Sequence, residues 1–375
     1  MRWYSLIILL FLSANIQAQF SVRLLLTEVA TRKNDPIYVS GTFNGWQPAA
    51  EAYRLKPFAG GRLGIVLKDL PAGHYAFKFS RGAQKMESTA DGRDIPDRLL
   101  TVEADGSFDF QVAGWKDDYP DKPKSYTALP TVRLLDSAFA LPDLGRSRRV
   151  WVCLPKNYAQ TGKAYPVVYF QDGQNLFNEQ TAFAGEWGMD ECLDSLVQQS
   201  FPGCIVVGIA NGEAKRQQEY NPYDHLQFGA GEGKAYLKSI VEKLKPYIDA
   251  KYRTRKGVAH TYIGGSSMGA LIATYALLEY PQVFGGAALF SPAFWVAPEL
   301  YKDASTKAPA GKKIFLYYGG QESANLLGEV KKMETIFNAW PEVQKRTVYQ
   351  PLGQHREAAW RGELALMFQW LSVGW

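Results

Sequence analysis

The chain has 375 residues, too many for one ordinary domain at roughly 150 residues each. Hydrophobic residues make up 46% of it and charged residues 21%, a globular balance that excludes wholesale disorder. The net charge of +5 comes from 42 basic and 37 acidic residues spread without a basic block, so a dedicated nucleic-acid binder is excluded.

Met1-Arg2-Trp3-Tyr4 is followed by an apolar run over 5–14 and then by Ile16-Gln17-Ala18. A basic start, a short apolar core and a small final residue predict a secretory signal peptide over 1–18, hence a periplasmic or extracellular protein. The run is short for a transmembrane span, so no stable span is expected after cleavage. Residues 19–112 carry short alternating or apolar segments at 21–26, 37–40, 63–67, 75–80, 99–102 and 107–112. Turn clusters such as Asn44-Gly45 and Asp105-Gly106 separate them, and no 3.6-residue period is sustained. This predicts a small all-β, immunoglobulin-like sandwich. Residues 113–127 are polar and proline-bearing and read as a linker.

From 128 to 375 strands and helices alternate. Strands are expected at 132–137, 148–154, 167–170, 204–209, 262–265, 286–290, 314–318 and 347–349. Helices are expected at 188–198, 231–251, 268–279, 324–337 and 356–371. The inner strands are short, apolar and β-branched, as in a sheet covered on both faces, so a doubly wound α/β domain is predicted. Cys153, Cys192 and Cys204 fit neither a zinc pattern nor a disulfide framework. Cys153 and Cys204 lie in strand-like runs and read as small buried hydrophobes.

The most informative segment is Gly265-Ser266-Ser267-Met268-Gly269, a G-x-S-x-G pattern between an apolar strand and a helix. That context is what a nucleophile elbow requires, so Ser267 is the candidate nucleophile. A serine hydroxyl needs a base. Of the four histidines, His74 lies in the sandwich, His260 at the far end of the elbow strand and His225 in an irregular segment. His355 follows the last strand, where the order Ser, acid, His puts the base. Glu322 is the first carboxylate after the strand at 314–318 and is the candidate acid. The N–H groups of Met268, just after the nucleophile, and of Gln174, after Asp172-Gly173, are the candidate oxyanion donors. Trp187 and the loop residues Tyr220, Asn221 and Tyr223 are candidate substrate contacts at the rim, with local core packing as the other reading.

Four segments, Asp172-Gly173-Gln174-Asn175-Leu176-Phe177, Gly185-Glu186-Trp187-Gly188, Gly264-Gly265-Ser266-Ser267-Met268-Gly269 and Gly353-Gln354-His355 with Trp360, together resemble the esterase family of α/β-hydrolases. The likeness spans residues 128–375. It implies a metal-independent serine hydrolase without a cofactor, with Ser267, Glu322 and His355 as triad. The family acid is often Asp, and Glu322 departs from that. The family includes enterochelin-esterase-like enzymes, feruloyl and acetylxylan esterases, S-formylglutathione hydrolases and mycolyltransferases.

The N-terminal region resembles glycogen- and starch-binding sandwich modules of the early-set type. The matching residues are Ser40-Gly41-Thr42-Phe43-Asn44-Gly45-Trp46, Leu70-Pro71-Ala72-Gly73 and Tyr75-Ala76-Phe77-Lys78-Phe79. The likeness makes Trp46 a sugar-stacking platform, with Lys78 beside it. Met86 stands where those modules carry a second Trp, which leaves glycan binding and a substrate-framing role both open.

The expectation is therefore an exported serine esterase acting on a small-molecule or polysaccharide ester, with acetyl or feruloyl groups on a carbohydrate favoured. A siderophore esterase of the enterochelin type is the alternative, and a non-catalytic carbohydrate-binding scaffold the alternative of another class. An S-formylglutathione hydrolase is disfavoured by the export signal.

Overall fold

The computed structural model describes residues 18–83, 85–95, 97–119, 123–199, 201–226 and 228–375. Apart from Ala18, the expected signal peptide lies outside them. Among the described residues no helix is long and apolar enough to cross a membrane. The chain divides into two compact units, Met1–Lys122 and Pro123–Trp375.

The described residues of the first unit form β-strands, with short 3-10 turns between them. Its strands are β1 (Gln19–Val29), β2 (Tyr38–Gly41), β3 (Lys56–Phe58), β4 (Arg62–Pro71), β5 (Gly73–Ser80), β6 (Glu87–Ser88), β7 (Arg98–Val102), β8 (Gly106–Val112) and β9 (Gly114–Trp115). They form sheets of order β3-β4-β1-β8 and β2-β5-β7, plus the short pair β6-β9. Val22, Leu24 and Leu26 of β1 point inward and pack with Phe77, Phe79, Leu100 and Val102, while Arg23 points out. This is the alternation a half-covered strand needs. The linker reading at 113–127 starts too early. Gly114-Trp115 pairs with β6, and the buried Trp115 indole donates to the Thr31 carbonyl at 3.0 Å.

The second unit holds an eight-stranded sheet. Its strands are β10 (Val132–Leu141), β11 (Arg146–Cys153), β12 (Val167–Phe170), β13 (Ile205–Ile209), β14 (Thr261–Ser266), β15 (Gly286–Phe290), β16 (Lys313–Gly319) and β17 (Gln344–Gln350). Their order is β10-β11-β13-β12-β14-β15-β16-β17. The six from β12 to β17 run parallel, and β10 and β11 join antiparallel. Every residue of β12 through β15 is buried, because apolar layers cover both faces. One layer includes the helices Met268–Glu279, Glu299–Lys307 and Ala324–Asn338. The other includes Met189–Val197 and Leu364–Leu371.

Two expected helices are interrupted. The helix at 231–251 is Gly233–Ser239 and Lys245–Lys251 around a π-turn, Ile240–Leu244, just ahead of Pro246. Proline cannot donate the regular helical bond, and a π-turn accommodates that. The helix at 356–371 breaks at Gly362 into Glu357–Arg361 and Leu364–Leu371.

Candidate active site

The C-terminal ends of β12, β14, β15, β16 and β17 share one rim, the edge where open α/β sheets bind ligands. β14 ends at Ser266, and Ser267 turns the chain directly into the helix Met268–Glu279. Ser267 has φ 55° and ψ −119°, a conformation L-residues rarely hold. The turn demands glycine on both sides. A Cβ on Gly265 would sit 2.8 Å from the Gly269 carbonyl carbon, and one on Gly269 would sit 3.0 Å from Gln171 Cβ. The Ser267 carbonyl accepts the N–H groups of Ala270, Leu271 and Ala293, each at 3.1 Å. Its own N–H donates to the Phe290 carbonyl at 2.9 Å.

Ser291, the residue after β15, is also left-handed, with φ 45°. It is fully buried. Its hydroxyl donates to Glu322 Oε1 at 2.6 Å and accepts the Trp360 indole N–H at 2.9 Å. Glu322 Oε1 also accepts the Gly319 N–H at 2.7 Å. The other oxygen, Oε2, lies 2.6 Å from His355 Nδ1. The Glu322 side chain is 1% exposed and that of His355 is 37% exposed. The carboxylate is thus dry and triply bonded, while the imidazole reaches open space. The Trp360 ring meets the His355 ring edge-on, with centroids 5.2 Å apart.

After β12, Asp172 adopts φ 54° and starts the short 3-10 turn Gly173–Asn175. Gly173 lies flat on β13, where a Cβ would be 2.5 Å from the Gly208 carbonyl carbon. The Asp172 carboxylate takes two bonds from Arg216, at 2.7 and 2.9 Å, and one from Asn211 Nδ2 at 2.7 Å. Its N–H donates to the Tyr220 hydroxyl at 3.2 Å. Gln174 is fixed through its side chain, which accepts the Asn211 N–H at 3.2 Å. Among the described residues, neither the Gln174 nor the Met268 N–H has a backbone acceptor. A free N–H is normal in the first turn of a helix and is what an anion needs.

Glu357, two residues after His355, is buried, and its Oε1 accepts Asn175 Nδ2 at 3.4 Å. Burial, and then the charge of Asp172, pushes its carboxyl up to about 7.

Of the expected rim contacts, three are interior. Trp187 is 2% exposed, edge-on to Phe170 and Phe290. Tyr220 and Asn221 are fully enclosed, and the Tyr220 hydroxyl is spent on Asp172. Tyr223 is half-buried, and its hydroxyl donates to Asp303 at 2.9 Å. The loops that carry these residues fold inward under the site. Exposed aromatic rings of this unit include Phe183, 66% exposed, and Trp295, 42% exposed. The Phe183 N–H donates to Asn175 Oδ1 at 3.3 Å, and Trp295 lies two residues beyond Ala293, which bonds Ser267. His260 lies at the opposite end of β14 from Ser267. The three cysteines are free thiols, and burial pushes Cys153 up to about 12, which suits an inert core residue.

In the first unit Trp46 is partly exposed with φ 60°. Lys78 is half-buried and forms an ion pair with Asp97 at 3.1 Å.

Sheet order and rim geometry are those of the α/β-hydrolase class. Residues 142–371 match the Esterase family model, described as "Putative esterase". The chain belongs to that family and is a carboxylic ester hydrolase. It is 30% identical over 185 residues to the Bacillus subtilis protein YbbA, covering 47% of this chain and 69% of that one. It is 26% identical over 183 residues to an endo-1,4-beta-xylanase/feruloyl esterase of Xylanibacter ruminicola, covering 48% of this chain and 23% of the relative. The solved enterobactin esterase of Shigella flexneri has the same fold, with a TM-score of 0.55 at 16% identity over 91% of this chain and 88% of that one.

Proposed function

We propose that this chain is an exported serine esterase in which Ser267, His355 and Glu322 act as a catalytic triad. The observation that carries this reading is the 2.6 Å contact between His355 Nδ1 and the enclosed Glu322 carboxylate, on the same sheet rim as the strained Ser267. With Nδ1–H directed at Glu322, Nε2 is the basic nitrogen. It takes the hydroxyl proton as Ser267 Oγ attacks the ester carbonyl. The oxyanion is received by the N–H groups of Met268 and Gln174. The imidazolium then returns the proton to the leaving alcohol, and an acyl-enzyme remains. Water, deprotonated by the same Nε2, releases the acid and restores Ser267. Glu322 stays ionised and holds the imidazole in its working tautomer.

The favoured substrates are acetyl or feruloyl esters on a carbohydrate. The relative named as a xylanase/feruloyl esterase supports this, as do the export motif and the sugar-module resemblance. Phe183 and Trp295 offer exposed flat faces near the oxyanion loop and the elbow, suited to a feruloyl or sugar ring. The first unit contacts glycan through Trp46. A siderophore ester is the second reading, favoured by a fold likeness to the enterobactin esterase that extends over 91% of this chain.

The test is a hydrolysis panel of acetylated xylan, methyl ferulate and ferric enterobactin, run with wild type and Ser267→Ala. Turnover of one of the first two is expected, and its loss in the variant together with fluorophosphonate labelling. Activity retained in Ser267→Ala would sink the triad. Preferred turnover of ferric enterobactin would move the substrate to the siderophore class.

A further inference from the structure

A second polar cluster lies apart from the triad. Glu186 precedes the helix Met189–Val197, and Asp190 and Glu191 lie in its first turn. One carboxylate oxygen from each comes within 4.8 Å of the other two. Asp190 is 1% exposed. Its Oδ2 accepts the Leu129 N–H at 2.8 Å, whereas its Oδ1 is buried with no donor. Oε2 of Glu191 is buried with no donor as well. Oε1 of Glu186 accepts the Thr127 hydroxyl at 2.7 Å, and its Oε2 has the half-exposed Arg361 guanidinium at 3.9 Å.

Unpaired buried carboxylate oxygens are costly, so a native fold supplies them with a proton or a cation. Three carboxylates stand beside a single guanidinium, 3.9 Å from the nearest of them. We propose that Glu186, Asp190 and Glu191 bind one hard divalent cation of the Ca²⁺ class. The donor set is all oxygen, with no imidazole or thiolate among the three, and this favours Ca²⁺ over softer metals. The positive end of the helix opposes a cation, but with only about half a charge against two.

The ion would be structural and would leave the triad chemistry untouched. It would tie the stretch holding Thr127 and Leu129 to Glu186 and the helix start. Trp187, next to Glu186, donates its N–H to the Asn175 carbonyl at 2.8 Å, so the ion would stiffen the wall behind the oxyanion loop.

The test uses the full chain, stripped with EDTA, dialysed and titrated with CaCl₂ by isothermal calorimetry and thermal melting at neutral pH. One Ca²⁺ per chain and a melting point raised by several degrees are expected. Glu191→Gln and Asp190→Asn should each weaken binding at least tenfold, with circular dichroism verifying that both variants fold. No heat and no change in melting would overturn the proposal. So would undiminished binding in both folded variants, since the ion would then lie elsewhere. A wild type indifferent to Ca²⁺ but stabilised by Asp190→Asn would identify a shared proton instead, and that too overturns it.

Discussion

Ser291 donates its hydroxyl to Glu322 across 2.6 Å, so the carboxylate that faces His355 is itself aimed by a residue from the neighbouring strand end. The same hydroxyl accepts the Trp360 indole, and Trp360 meets the His355 ring. One serine therefore couples the elements that carry Glu322 and His355. Ser291→Ala would leave the buried Trp360 N–H without this acceptor and remove one donor from Glu322. An orphaned buried polar group costs about 1–3 kcal/mol. We expect that loss of stability in urea unfolding, and a kcat reduced about 10–100-fold with KM little changed, because the hydroxyl acts through Glu322 and not on substrate.

Glu322→Gln keeps the shape of the acid and removes its charge. The amide can present N–H to Nδ1, which fixes the wrong imidazole tautomer. A fall in kcat of about 10³–10⁴-fold is expected, with the fold intact by circular dichroism. A variant within tenfold of wild type would relocate the acid.

Arg216 holds Asp172 with two bonds, and Asp172 begins the turn that carries Gln174. Arg216→Met would strand a buried carboxylate, a change that costs about 3–5 kcal/mol. The guanidinium also stacks over the Tyr220 ring, with its carbon 5.1 Å from the centroid. Arg216→Lys should recover only part of the loss, because an ammonium cannot reproduce the fork. Denaturant midpoints of the three proteins test the order.

Glu357 gives a pH-dependent prediction. Its carboxyl is raised from 4.5 to about 7, so the folded state holds the proton more tightly than the unfolded chain does. The group costs nothing below about pH 4.5. It destabilises increasingly as pH rises toward 7, and the full penalty is present above that. Glu357→Gln keeps an oxygen for Asn175 and cannot ionise. It should melt near wild type at pH 4.5 and clearly above it at pH 8, by on the order of 2 kcal/mol. Parallel melting curves across that range would refute the assignment.

The sequence carried the local features well. The elbow at Ser267 is written in a few adjacent residues, since two glycines and a strand-to-helix switch leave little freedom. The α/β class needed no long-range information beyond the alternation of helix and strand. Ser291 was not legible: Ser291-Pro292 reads as an ordinary loop, and its role exists only because Glu322 and Trp360 arrive from 31 and 69 residues away. For Trp187 and Tyr220 the sequence leaves rim and core both open for a related reason. A loop aromatic carries no local mark of which way the loop folds, and both turn under the site to pack against Phe170 and Tyr236. Trp115 lay in a polar, proline-bearing stretch whose composition hid a strand.

Three neighbouring strands, β12, β14 and β15, are each followed within two residues by a residue other than glycine held at positive φ: Asp172, Ser267 and Ser291. Backbone strain of this kind costs on the order of 1–3 kcal/mol per position. Glycine at Ser267 would relieve it and would also delete the hydroxyl proposed as nucleophile, whereas at Asp172 and Ser291 it would also forfeit the bonds to Arg216 and Trp360. Heat tolerance and turnover therefore pull in opposite directions at Ser267. A library screened for thermal survival alone would enrich robust but inactive proteins there, so directed evolution of this scaffold calls for selection on both traits together.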